Sequence, residues 1–243
     1  MRSPALPILS YFAIVCIASS PIPPAHCAES RLGADAAKWE ALVQKKLSQP
    51  PPKEGSVICV GSSHMAKWST LEEDLAPLRT YNMGIGGSRM RHAAELFIPR
   101  LVLPFKPRAV LLYEGSNDLA AGIQPAEILK SFQSLYQQLH ETLPQTRLYV
   151  LGVVPSPGKR FEKWEAILEL NHLLETECAQ NPWMRFLDTT SGLLDKEGKP
   201  RLECFIPNDI HMTAAGYEVW KSIVAPVLIP AESDIAPTQS VAP

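Results

Sequence analysis

The chain has 243 residues, 46% hydrophobic and 20% charged, with 23 Lys and Arg against 25 Asp and Glu. That length suits one domain with a substantial core, and a net charge of −2 argues against nucleic acid or an anionic membrane surface as main partner. Five cysteines and six histidines form no cluster with zinc-ligand spacing.

Residues 1–27 read as a secretory signal peptide. Arg2 is their only charge, Ala5 to Ala18 is an apolar run broken by Pro7, and a Pro-rich turn follows. Ala25-His26-Cys27 sets cleavage after Cys27, with Ala28 as the neighbouring alternative. Val15 before Cys16 and His26 before Cys27 are both poor lipoprotein sites. The apolar run is short for a membrane span, so an uncleaved anchor is only the second reading. Export implies a secreted or periplasmic protein, with no stable membrane insertion once the signal is removed. The exported chain carries 22 basic against 25 acidic residues and keeps Cys59, Cys178 and Cys204. Cys59 reads as a small buried hydrophobe. Cys178 and Cys204 are open to pairing in an oxidising compartment, and their spacing neither requires nor excludes it.

Residues 28–54 form an N-terminal helix and linker. Ala34 to Leu47 sets Trp39, Leu42, Val43 and Leu47 on one stripe, and Ser48 to Lys53, with three prolines, ends the helix. From residue 55 to 229 short apolar runs alternate with longer amphipathic ones. Val57 to Val60, Thr80 to Met83, Ala109 to Tyr113, Leu148 to Val154 and Met184 to Asp188 read as strands. Helices are expected from about Ser88 to Leu103, Pro125 to Leu143, Phe161 to Cys178 and Ala214 to Leu228. Residues 230–243 are Pro, Ala and Ser with little to bury, and are taken as a disordered tail. The alternation implies an α/β fold, a three-layer α/β/α sandwich on a five-stranded parallel sheet. Ligands in such sheets lie outside the carboxyl ends of the strands, so the turns after each strand are the places to inspect.

Ser63 follows the first strand at the start of a helix, beside backbone N–H groups suited to a developing negative charge. On that stretch alone, a plain helix cap is the preferred reading. Gly86-Gly87 follow the second strand, where missing side chains let a substrate approach the backbone. Asn117 follows the third and offers an amide donor. His211, just before the last helix, is a candidate base. Singly, each has a structural explanation; jointly, they fall in order on the ligand edge of the sheet.

These blocks resemble the SGNH hydrolases, also called the GDSL esterase family. Gly61-Ser62-Ser63 resembles the first block, with Ser62 where Asp is commoner and Ser63 at the nucleophile. Asn82-Met83-Gly84-Ile85-Gly86-Gly87 resembles the second, Gly115-Ser116-Asn117-Asp118 the third, and His211 with Ala214-Ala215-Gly216-Tyr217 the last. Trp68 adds a likeness to the bacterial branch related to platelet-activating-factor acetylhydrolase. The resemblance spans about Gly55 to Leu228 and implies a flavodoxin-like SGNH hydrolase fold. It also implies a Ser63 nucleophile, a His211 base, an oxyanion hole of Ser63, Gly87 and Asn117, and no metal or organic cofactor. The α/β-hydrolase elbow is excluded, because the position two after Ser63 is Met65 rather than glycine.

One departure stands out. The family's orienting Asp lies three residues before the histidine, and that position is Asn208, with Asp209 one residue later. Three outcomes follow: Asp209 takes over, a backbone carbonyl orients His211, or the site is crippled and leaves a binding protein on an enzyme scaffold. With the other blocks present, an active esterase is the preferred reading. Little chain between strands is available for a lid, which points to a short acyl group, such as acetyl, on a small-molecule or carbohydrate ester. Lys159, Arg160 and Trp164 are candidate substrate contacts, or simply a solvated helix start. Oligomeric state is not legible.

Overall fold

The computed structural model describes residues 35–233. The signal peptide expected at 1–27 and residues 234–243 of the expected tail lie outside the described residues. In chain order the helices are α1 (Ala36–Leu47), α2 (Ser63–Ala66), α3 (Leu71–Asp74), α4 (Met90–His92), α5 (Ser116–Ala120), α6 (Pro125–Thr142), α7 (Trp164–Ala179) and α8 (Ala214–Ser233). The strands are β1 (Val57–Gly61), β2 (Thr80–Asn82), β3 (Ala109–Tyr113), β4 (Arg147–Leu151) and β5 (Met184–Leu187).

All five strands pair in parallel, in the order β2-β1-β3-β4-β5. This is the flavodoxin-type order, in which the chain reverses direction across the sheet between β1 and β3. That reversal opens a crevice at the carboxyl ends of these two strands. Every residue of β1 and β3 is buried, which is why both read as unbroken apolar runs.

Successive strand residues point to opposite faces. Val57, Cys59, Ala109, Leu111, Tyr113, Tyr149 and Leu151 face a core closed by Trp68, Leu71, Trp220, Val224 and Leu228 from α2, α3 and α8 and their flanks. Three rings form its centre: Trp220 lies 5.0 Å from Tyr113 and 5.5 Å from Trp68, centroid to centroid. On the other face α6 packs between α7 and a ten-residue π-helix, Ala93–Val102, that lies against β1. The sequence reads this stretch as one ordinary helix. Pro99 lies inside it and supplies no N–H, and the widened turns still bury Phe97, Ile98, Leu101 and Val102.

The N-terminal helix packs on the α4 and π-helix segment: Trp39 stacks on His92 at 3.9 Å and Glu40 pairs with Arg100 at 3.0 Å. Two expectations are corrected. First, residues 230–233 of the expected tail are helical, because α8 continues to Ser233. Glu232 is fully buried there and accepts from Arg147 Nε at 2.6 Å and from the Tyr149 hydroxyl at 2.7 Å. Second, β4 stops at Leu151 rather than Val154. The Val153 N–H leaves the sheet and donates to Asn171 Oδ1 on α7 at 2.8 Å. Cys178 on α7 and Cys204 in the core under α8 are separate free thiols, as is Cys59 in β1. Burial pushes the Cys178 thiol up to about 12.

Candidate active site

β1 ends at Gly61 with φ +149°, where any Cβ would sit 2.2 Å from the Tyr113 carbonyl oxygen of β3. Only glycine allows that approach, and it aims the chain out of the crevice into Ser62 and Ser63. Ser62 stands at the N-cap position of α2, without a side-chain cap hydrogen bond, and Ser63 is the first helical residue, so Ser63 is not the cap. The surroundings fix this turn from several sides. Asn82 of β2 donates from Nδ2 to the Met65 carbonyl at 2.7 Å and accepts the Gly84 N–H at 3.0 Å. Tyr217 on α8 donates its hydroxyl to the His64 carbonyl at 2.8 Å.

Ser63 Oγ lies 2.9 Å from His211 Nε2, and His211 Nδ1 lies 2.8 Å from Asp209 Oδ1. A carboxylate only accepts, so Nδ1 carries the proton and Nε2 presents its lone pair to the serine hydroxyl. Residues 148 apart in sequence thus form one hydrogen-bonded chain at the sheet's carboxyl edge. Partial desolvation opposes the charge on Asp209. The Ile210 N–H at 2.6 Å and the His211 ring outweigh it, holding the carboxyl below the usual carboxylate range.

Asn208 does not occupy the orienting place. It stands exposed in a left-handed turn, φ +60°, a conformation that asparagine tolerates better than most residues. That turn brings Asp209 to the ring from one residue closer. Its neighbour Ile210 is clamped: the carbonyl accepts from Ser156 Oγ at 2.9 Å and from His64 Nε2 at 3.0 Å. A carbonyl cannot donate, so His64 carries its proton on Nε2. Burial, with the His211 ring nearby, drives its pKa down to about 3 and keeps it neutral.

The glycine turn after β2 passes directly beside the serine: a Cβ built on Gly86 would stand 3.6 Å from Ser63 Cβ. Gly87 follows at φ +82°, a conformation that glycine alone adopts freely, and is exposed. Asn117 reaches the same turn from α5, donating from Nδ2 to the Ser88 carbonyl at 2.9 Å. Ser88 is fully buried and donates to Glu114 Oε1 at 2.5 Å; burial raises the Glu114 carboxyl well above its ordinary range. Asp118 accepts the Met90 N–H with both oxygens, at 3.1 and 3.3 Å, pinning the far side of the turn.

Of the three substrate-contact candidates, Arg160 turns inward onto Asn117, Lys159 is exposed, and Trp164 stacks on Phe161 at 5.3 Å. The sequence does not mark His64, Ser156 or Tyr217 as residues that hold the site. Tyr217 stands in the last block, but nothing local marks the other two. Among the described residues, no three His, Cys, Asp or Glu side chains converge to hold a metal ion.

The parallel five-stranded sheet and its flanking helices are those of the SGNH hydrolase fold. The chain belongs to the GDSL-like lipase/acylhydrolase family, whose model matches residues 58–219. It is 26% identical over 203 residues to human platelet-activating factor acetylhydrolase IB subunit alpha2, covering 82% of this chain and 86% of that one. Among solved structures, a GDSL-like lipase from Bacteroides thetaiotaomicron superposes with a TM-score of 0.64 at 16% identity, covering 80% of this chain and 98% of the other. A carbohydrate esterase family 3 protein from Talaromyces cellulolyticus gives 0.55 at 16%, covering 75% and 100%. At those identities the two structures show a shared fold. Family membership makes this an acylhydrolase-type protein with an ester as the class of substrate.

Proposed function

We propose that this protein is an exported serine esterase that removes short acyl groups, acetyl-like in size, from small-molecule or carbohydrate esters. The observation that carries the reading is the continuous chain Ser63–His211–Asp209, with links of 2.9 and 2.8 Å. Ser63 Oγ attacks the ester carbonyl while its proton passes to His211 Nε2. Asp209 accepts from Nδ1 and stabilises the imidazolium as it forms. The tetrahedral oxyanion is held by the N–H groups of Ser63 and Gly87 and by the Asn117 amide, which has one hydrogen left after its bond to Ser88. Collapse expels the alcohol, which takes the proton back from His211. Water, activated by the same imidazole, then hydrolyses the acyl-serine and restores the free enzyme.

The impaired-scaffold reading rested on Asn208 in the orienting position; Asp209 supplies that acceptor instead. Three features support a short acyl group. β1 and β3 pass almost directly into α2 and α5. The longest connection on this edge, between β5 and α8, is packed down by the Leu194–Pro200 and Phe205–Met212 bridges and by buried Leu193 and Cys204. The mammalian relatives are acetylhydrolases by name. Export rests on the pattern of residues 1–27. Among the described residues no helix is long and apolar enough to cross a membrane.

The test is hydrolysis of a p-nitrophenyl ester series by the purified chain. Acetate is expected to turn over far faster than long-chain esters, and Ser63→Ala to abolish the activity. A preference for long chains would overturn the substrate class, and equal rates in Ser63→Ala would overturn the mechanism.

A further inference from the structure

The family blocks assign no task to Arg160, which lies in the 3-10 turn Gly158–Lys163 after β4. Its half-buried guanidinium donates from Nη2 to Asn117 Oδ1 at 3.0 Å and from Nη1 to the Ser116 carbonyl. An asparagine amide has an acceptor end and a donor end that occupy almost the same shape, and nothing in its own bonding decides which way it faces. For Asn117 both ends are decided. Oδ1 meets a guanidinium, which only donates; Nδ2 meets the Ser88 carbonyl, which only accepts. A flipped amide would set two donors against each other at Arg160 and two acceptors at Ser88.

We propose that Arg160 is a positioning residue that locks the Asn117 amide with Nδ2 facing the glycine turn beside Ser63. This rests on the esterase reading above. The effect is twofold. The lock keeps an N–H, rather than a carbonyl oxygen, facing the developing oxyanion. The cation on Oδ1 also draws electron density from the amide and makes the free N–H a stronger donor. Arg160 thus acts through Asn117, with two of its five N–H donors committed to the Asn117 and Ser116 oxygens.

Two readouts test this, one independent of turnover. In 15N-resolved NMR spectra, the Asn117 side-chain NH2 pair is assigned by its loss in Asn117→Ala. In Arg160→Ala it should shift and broaden as the amide gains freedom. An unchanged pair in Arg160→Ala would overturn the proposal whatever the enzyme does to esters. In kinetics on p-nitrophenyl acetate, Arg160→Ala should lower kcat about 10–100-fold, the range for losing a charged hydrogen bond, with KM little changed. Arg160→Lys, which restores one donor, should recover part of the loss and provides a variant closer to the native packing. Asn117→Ala should cost about 10²–10³ in kcat, and adding Arg160→Ala to it should cost nothing further. Multiplying effects in the double variant, or a loss carried by KM, would instead make Arg160 a substrate contact. Retained activity in Ser63→Ala marks failure of the esterase reading itself, and the NMR result still decides the lock.

Discussion

Asp209 Oδ1 lies 2.8 Å from His211 Nδ1 although only Ile210 separates the two residues in sequence. A spacing that short is bridged by the left-handed turn at Asn208 and by the two donors that hold the Ile210 carbonyl.

Asp209→Ala should therefore lower kcat by about 10²–10⁴, the range for removing the orienting acid of a Ser-His pair. Asn208→Asp should bring no gain, because residue 208 stands exposed and Asp209 already holds the ring nitrogen. Steady-state kinetics of both variants on one ester checks the pair. A gain in Asn208→Asp with no loss in Asp209→Ala would return the orienting role to residue 208.

The five strands are legible because a parallel sheet covered on both faces buries nearly every residue, so Ala109 to Tyr113 is simply apolar. Ser63, Gly87, Asn117 and His211 are legible because each follows a strand or opens the last helix within a recognisable block. What escapes is whatever depends on a partner distant in sequence. Asn171 ends β4 from a helix 18 residues away, and Glu232 extends α8 only because Arg147 and Tyr149 wait for it. Arg160 reads as a solvated helix start until the fold sets it on Asn117. The choice between Asn208 and Asp209 turns on one backbone angle that no periodicity reports.

The clamp on Ile210 should be felt in both stability and rate. Ser156→Ala removes one of its two donors and should cost about 1 kcal/mol in urea unfolding. It should also lower kcat, by less than Asp209→Ala does, because His64 still holds the carbonyl. A variant with wild-type kcat would show that His64 alone fixes the loop.

Glu232→Ala should destabilise the fold by about 3 kcal/mol, since it leaves Arg147 and the Tyr149 hydroxyl without their shared acceptor. Chemical denaturation measures this directly. A change near zero would mean that the last turn of α8 is dispensable, as the composition of residues 230–243 suggests.

Stability should also depend on pH through Asp118. Burial raises its carboxyl to about 6 from an ordinary 3.8, against the pull of the Met90 N–H. Between those values the unfolded chain releases the proton and the folded chain keeps it. The stabilisation is thus present below about pH 4 and lost as pH rises through 6. His92, lowered to about 4 chiefly by burial, works in the opposite sense: its contribution is present above 6.5 and lost as pH falls through 4. The two offset each other in the wild type, so the informative quantity is the difference from Asp118→Asn. That variant should gain on the wild type by roughly 2–3 kcal/mol between pH 4 and 6. A difference independent of pH would show that Asp118 titrates like an exposed carboxylate.

The central claim is that Ser63 is a nucleophile activated by His211. The most direct measurement is labelling of the purified protein with a fluorophosphonate, followed by mass spectrometry of its peptides. The account predicts one adduct per chain, on Ser63, absent from Ser63→Ala and formed far more slowly in His211→Ala. An unlabelled wild-type protein, or an adduct on any other residue, would contradict it.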